Sequence, residues 1–313
     1  MSVSGRRATA WLALMLGLSA LGSPSSAAGP FKVVTSVAPL ADLIKRIGGM
    51  DLVVAQLIPD GRDAHTFDPS PTAAAEFANA DMMIFNGLGL EEPLMATAKT
   101  IERRGIPLVF LGDQTVPMAA EIVDATGHPN PHAWMSVAYA MRYVEMIRDA
   151  LVAADPAHAA GYRRRAGELL AQLTSLDIAV TTAVRTIPAA HRKLVTYHDS
   201  WPYFARQYGM KVIAAIQPAS YLEPSAREVA AIIDQVRAAE VPAVFGSEVF
   251  PSSVLETIGR ETHTRYIDTL RDDVLPGPKG SATHSYVGMM IENVRTIVTA
   301  LGGDPKALES VLL

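Results

Sequence analysis

The chain has 313 residues, comfortable for two α/β lobes and too long for one small core. Hydrophobic residues make up 49% and charged residues 19%, the balance of a globular chain rather than a disordered one. A net charge of -5 without a basic run or an interleaved aromatic stripe argues against nucleic acid as a partner, and the absence of cysteine excludes a disulfide framework, a thiolate metal site and a cysteine nucleophile.

The N-terminus carries Arg6-Arg7, an apolar run from Ala10 to Leu21, and then Gly22-Ser23-Pro24-Ser25-Ser26-Ala27-Ala28. This is the layout of a cleavable signal peptide over residues 1–28; the apolar run is shorter than the roughly 20 residues a spanning helix needs. No cysteine stands near the cleavage region to take a lipid, so the expected product is soluble in a periplasm.

Along the mature chain, Phe31–Ser36 reads as a buried strand and Pro39–Ile47 as a helix ended by Gly48-Gly49. Leu52–Ile58 is a second strand, followed by a loop over Pro59–Pro71 that holds His65. Thr72–Ala80 is a helix, Met82–Asn86 a strand, Glu91–Arg103 a helix and Pro107–Leu111 a strand. From Met135 to Ile187 no strand signal occurs. Val137–Ala153 is one helix, and after Asp155-Pro156 a long periodic run extends from Ala157 to Val184. The α/β rhythm then resumes with strands at Lys193–Tyr197, Val212–Ile216, Ala243–Gly246 and Tyr266–Ile267, and helices at Trp201–Tyr208, Ser225–Ala239, Ser252–Thr262 and Tyr286–Leu301.

Strands alternating with helices predict parallel sheets. The reading is α/β: two similar lobes with parallel sheets joined by one long rigid helix. It divides the chain into a signal peptide (1–28), an N-terminal lobe (29–134), a helical region with the linking helix (135–187) and a C-terminal lobe (188–313).

Ligands in open α/β sheets bind beyond the carboxyl ends of the strands. A site between two lobes would draw His65 and His132 from one, and His198 and Asp268, each at a strand end, from the other. Neutral imidazole suits zinc, a carboxylate completes a four-coordinate shell, and a set richer in oxygen suits manganese. The spacing alone is weak: no H-x-x-x-H stands on a helix, and Pro129 and Pro131 break the one pair four apart, His128 and His132. Asp199 and Glu248 are candidates to accept from the imidazole N–H groups.

Several stretches resemble one family. Ile58-Pro59-Asp60-Gly61-Arg62-Asp63-Ala64-His65-Thr66-Phe67-Asp68-Pro69 is similar to the first ligand motif of the zinc/manganese ABC-importer receptors, I-P-x-G-x-D-P-H-x-F-E-P. Asn86-Gly87-Leu88-Gly89-Leu90-Glu91 resembles their N-G-L-G-L-E segment, and Asn130-Pro131-His132-Ala133-Trp134 their D-P-H-x-W motif. Tyr197-His198-Asp199, Phe245-Gly246-Ser247-Glu248 and Asp268 follow in the family's order. The resemblance covers essentially the whole mature chain.

It implies a metal site in the cleft between the lobes, with His65, His132, His198 and Asp268 as ligands. The expected cargo is zinc, with manganese as the alternative. A membrane permease of an ABC importer is the expected partner, with room for a periplasmic metallochaperone, and the receptor is expected to be a monomer and not an enzyme. Three departures stand at loop-shaping positions: Ala64 for proline, Asp68 for glutamate and Asn130 for aspartate. The stretch Gly112–His128 has one histidine, where many zinc receptors carry a His-rich loop. Competing readings are a zinc hydrolase, with Glu248 as general base, and a metal-binding adhesin; four ligands and the lack of H-E-x-x-H argue against the hydrolase. Affinity is expected to fall as pH drops through the ordinary histidine range, near ~6.5.

Overall fold

The computed structural model describes residue 1 and residues 30–123, 127–217, 224–247 and 253–313. The expected signal peptide, apart from Met1, and Glu248 lie outside the described residues. The first half runs β1 (Phe31–Thr35), α1 (Ala38–Gly48), β2 (Leu52–Gln56), α2 (Pro71–Ala78), β3 (Met82–Phe85), α3 (Met95–Glu102), β4 (Leu108–Phe110) and α4 (Leu111–Thr115). Two helices follow, α5 (Val137–Ala154) and α6 (Ala159–Thr186). The second half runs β5 (Lys193–His198), α7 (Pro202–Tyr208), β6 (Lys211–Gln217), α8 (Ala226–Ala239), β7 (Ala243–Ser247), α9 (Ser253–Thr262), β8 (Arg265–Leu270) and α10 (Tyr286–Ala300).

Two four-stranded sheets result, ordered β2-β1-β3-β4 and β6-β5-β7-β8, with every neighbouring pair parallel. The two halves therefore share one topology, as the element rhythm predicts. Strand composition follows position. The inner strands β3 (MMIF) and β7 (AVFGS) are buried at every residue, because helices cover both faces of a parallel sheet. The edge strand β2 leaves Val53 exposed. In each sheet the chain reverses its direction of travel between the inner strands, at β1/β3 and β5/β7, which opens a crevice at their carboxyl ends.

Two elements differ from the sequence reading. Leu111-Gly112-Asp113-Gln114-Thr115 forms a short helix although it carries no helical period. Strand β8 continues past Ile267 to Leu270, pairing Ser247 with Leu270 after a register shift between Phe245 and Ser247. Ladder bonds use only the backbone, so a polar Asp268-Thr269 does not stop the strand.

Helix α6 has 28 residues and is packed along its length. Its buried positions Tyr162, Ala166, Leu169, Leu173, Leu176, Val180 and Val184 form one stripe at steps of three and four. That stripe belongs to a continuous core that includes Val33 and Ile84 of the first sheet, Tyr143 of α5, Phe204, Phe245 and Leu270 of the second half, and Val294 of α10. A separate smaller core, with Val195, Ile216, Ile232, Val244 and Ile258, fills the face of the second sheet under α8 and α9. Among the described residues no helix is long and apolar enough to cross a membrane.

Polar residues gather at the carboxyl ends of β1 and β3. The buried Glu91 accepts from the Ser36 hydroxyl at 2.6 Å, from the Asn86 N–H at 2.8 Å and from the Gly87 N–H at 2.9 Å. Gly87, Leu88 and Gly89 all take positive φ to wrap the loop around this carboxyl group. A Cβ on Gly87 would lie 2.3 Å from Asp113 Oδ2, so glycine is required there for space as well as conformation. Asp113 in turn accepts the Leu88 N–H at 2.9 Å, which holds the one non-glycine of the three in its left-handed conformation. Asn86 extends the network, accepting from the Tyr143 hydroxyl at 2.6 Å and donating to the Pro131 carbonyl at 2.8 Å.

Burial pushes the Glu91 carboxyl up to about 7, against the pull of the Ser36, Asn86 and Gly87 donors. The folded pKa thus stands above the unfolded one. The contribution of this group to stability is full below about pH 4.3 and is lost as pH rises through about 7. Denaturant unfolding of the parent protein and of Glu91→Gln between pH 4.5 and 7.5 is the check. The parent is expected to lose on the order of 3 kcal/mol relative to the variant across that window. A constant difference would mean that Glu91 is ionised throughout.

Candidate metal centre

Two loops and one strand end deliver the expected histidines to the crevice. His65 follows β2 in a turn fixed by Asp63, whose carboxylate accepts the His65 N–H at 2.9 Å and the Thr66 hydroxyl at 2.7 Å. His132 precedes a turn of 3-10 helix, Ala133–Met135, that leads into α5. This segment is held from both halves: Asn86 donates to the Pro131 carbonyl, the Trp134 indole donates to the Asp272 carbonyl at 3.0 Å, and the Tyr286 hydroxyl donates to the Trp134 carbonyl at 2.7 Å. His198 is the last residue of β5, at the position the parallel-sheet rule favours.

The three imidazoles meet. One ligand atom from each of His65, His132 and His198 lies within 4.8 Å of the others. His132 Nε2 and His198 Nε2 are 3.0 Å apart, and the ring centroids are separated by 4.7 Å for His132–His198, 5.3 Å for His65–His132 and 5.4 Å for His65–His198. The Trp134 ring packs on His132 at 5.1 Å and shields it from water. His132 and His198 are buried and His65 partly so.

Burial, followed by the nearness of His198, holds the His65 pKa well below the ordinary histidine range. Burial also holds His132 well below it, reinforced by His198 and His65 and opposed by a hydrogen bond to the Asp199 backbone carbonyl. Uncharged imidazoles offer lone pairs, which a zinc-type cation requires.

Asp268 is not brought to this cluster. It is solvent-exposed on β8 and lines a shallow hollow with Arg265, Tyr266, Arg295 and Thr296. Among the described residues the group able to hold a metal consists of the three histidines alone. Two carboxylates that the sequence reading passed over, Asp272 and Asp273, are buried, and the Asp272 carbonyl contacts Trp134 beside His132. The only sequence signal for them is an acidic pair directly after the β8 strand. His284 lines a different hollow with Asp42, Lys45 and Lys279, its Nδ1 3.2 Å from the Pro276 and Gly277 carbonyls. His158 pairs with Asp155 on the surface, and Met289 and Met290 are core residues.

The chain is 30% identical over 280 residues to the iron-binding protein YfeA of Yersinia pestis, covering 90% of this chain and 89% of that protein. It is 30% identical over 270 residues to the manganese-binding lipoprotein MntA of Halalkalibacterium halodurans, covering 86% and 88%. Its structure is similar to the periplasmic zinc-binding protein TroA of Treponema pallidum, with a TM-score of 0.80 and 27% identity over 87% of this chain and 99% of that one. The cadmium-bound periplasmic metal-binding protein of Candidatus Liberibacter asiaticus matches with a TM-score of 0.77 and 26% identity, over 87% of this chain and 99% of that one. The family model described as ZnuA, zinc-uptake complex component A periplasmic, matches residues 33–300, and the chain belongs to that family.

Proposed function

We propose that the protein is a metal receptor outside the cytoplasm that captures a divalent transition metal, zinc in the first place, and delivers it to the membrane permease of an ABC importer. The observation that carries this reading is the convergence of three imidazoles, of which burial keeps His65 and His132 uncharged. Three nitrogen ligands favour zinc over manganese. The relatives named for iron, manganese and zinc support the receptor class and leave manganese as the second reading. A family described as a component of an uptake complex, together with the lack of H-E-x-x-H, supports a receptor rather than an enzyme. Export by the N-terminal signal, a soluble mature monomer, loading by a metallochaperone and the lobe boundaries at 134 and 187 belong to the same proposal.

A divalent ion among three neutral ligands would keep its full charge in a buried place, and an anionic ligand lowers that cost. Asp268 remains the proposed carboxylate. It faces solvent in this structure, so ligation requires the end of β8 to turn inward on binding.

Competition titration of the mature protein with zinc and manganese tests the assignment. One equivalent of zinc that displaces manganese is expected, with His65→Ala and His198→Ala each losing at least about a hundredfold in affinity, and Asp268→Ala at least about tenfold, magnitudes scaled from outer-shell losses. Parent-like affinity in Asp268→Ala would restrict the site to three imidazoles; preferred manganese would change the cargo and keep the class.

The pH dependence is shifted from the sequence expectation. Because His65 and His132 stay neutral below the ordinary histidine range, protons compete with metal at these two only at lower pH. Zinc affinity is expected to change little between about pH 7.5 and 6.5 and to fall steeply below, by titration across that range. A tenfold loss already at about pH 6.5 would show that the imidazoles titrate normally.

A further inference from the structure

We propose that Asn130 is a positioning residue with two jobs that only an amide can combine: it presets the tautomer of His132, and it straps the two halves of the chain across the cleft. The proposal rests on the metal-receptor reading and deepens it. Asn130 is buried at 8% exposure, and every polar atom of its side chain is used. Its Oδ1 accepts the His132 backbone N–H at 3.1 Å and lies 3.1 Å from His132 Nδ1. Its Nδ2 donates to the Asp199 backbone carbonyl at 2.6 Å and reaches Asp199 Oδ2 at 3.2 Å.

These partners fix the orientation of the amide. A backbone N–H can only donate and a carbonyl can only accept, so exchanging the oxygen and nitrogen of Asn130 would break both ends at once. With Oδ1 as an acceptor, His132 Nδ1 must carry its proton. The lone pair of His132 is therefore on Nε2, the atom that faces His198 Nε2. His132 is held ready to ligate before any metal arrives.

The strap follows from chain connectivity. Asn130 stands two residues before His132, and Asp199 directly follows His198. The bond from Asn130 Nδ2 to Asp199 thus ties together two ligands carried by different halves of the chain. Aspartate has the same shape and would keep the acceptor. It would lose the donor and set an oxygen against the Asp199 carbonyl at 2.6 Å and its carboxylate at 3.2 Å. The two jobs can therefore be separated by substitution.

The test uses the full mature chain as parent, Asn130→Asp and Asn130→Ala. Nitrogen-15 NMR of the imidazole rings, in metal-free protein, reads the tautomer. His132 is expected as Nδ1–H in the parent and in Asn130→Asp, and as a mixture in Asn130→Ala. Stopped-flow transfer of zinc from loaded protein to excess chelator reads the strap. Asn130→Asp is expected to release zinc about tenfold faster, the lower end of what loss of an outer-shell partner costs. The added negative charge beside the cation would by itself slow release, so acceleration identifies the lost donor. An Nε2–H tautomer in the parent overturns the first job, and release from Asn130→Asp no faster than from the parent overturns the second. If the parent does not bind zinc, the receptor reading fails for that metal, while the tautomer measurement still decides the presetting of His132.

Discussion

Three imidazole rings bring their ligand atoms within 4.8 Å of one another, and burial keeps two of them, His65 and His132, uncharged. Much of the surrounding architecture serves that condition. Trp134 keeps water from His132, and the buried Asn130, with its oxygen on His132 and its nitrogen on Asp199, satisfies polar atoms that would otherwise stand unbonded in a dry place. At His65 and His132 burial works against the tendency of the ring to take a proton.

That arrangement needs firm walls, and the sheets provide them. Parallel strands end together, so the loops after β2 and β5 open onto one crevice. The Glu91 network stiffens the first wall: one buried carboxyl group organises the loop over 86–91, and Asn86 passes that order to Pro131 and so to His132. The second wall is β5 itself, whose last residue is a ligand. His65 is the least enclosed of the three, sitting on a turn ordered mainly by Asp63.

Most of the fold was legible because its signals are local. Apolar runs such as Met82–Phe85, the Gly48-Gly49 stop and the periodic stripe of α6 each follow from residues close in sequence. The three histidines were legible as residues at loop and strand ends, and the order of motifs made the set credible. What escaped depends on contacts distant in sequence. The length of β8 is decided by β7, so Asp268 lies inside the strand and faces solvent. The short α4 has no period of its own. The burial of Asp272 and Asp273 depends on segments packed around them, including Trp134, which lies 138 residues earlier than Asp272. Nor could spacing show that Asn130, a departure from the family motif, bonds across the cleft.

The continuous core along α6 has a consequence for how the molecule comes apart. Leu173 and its neighbours on the stripe share one apolar interior with the first sheet, α10 and one face of the second sheet. Neither half can separate without uncovering that interior to water, so the halves melt together rather than one after the other, as a single cooperative unit. Opening of the cleft is then a small flexing at its rim rather than the swing of two free bodies.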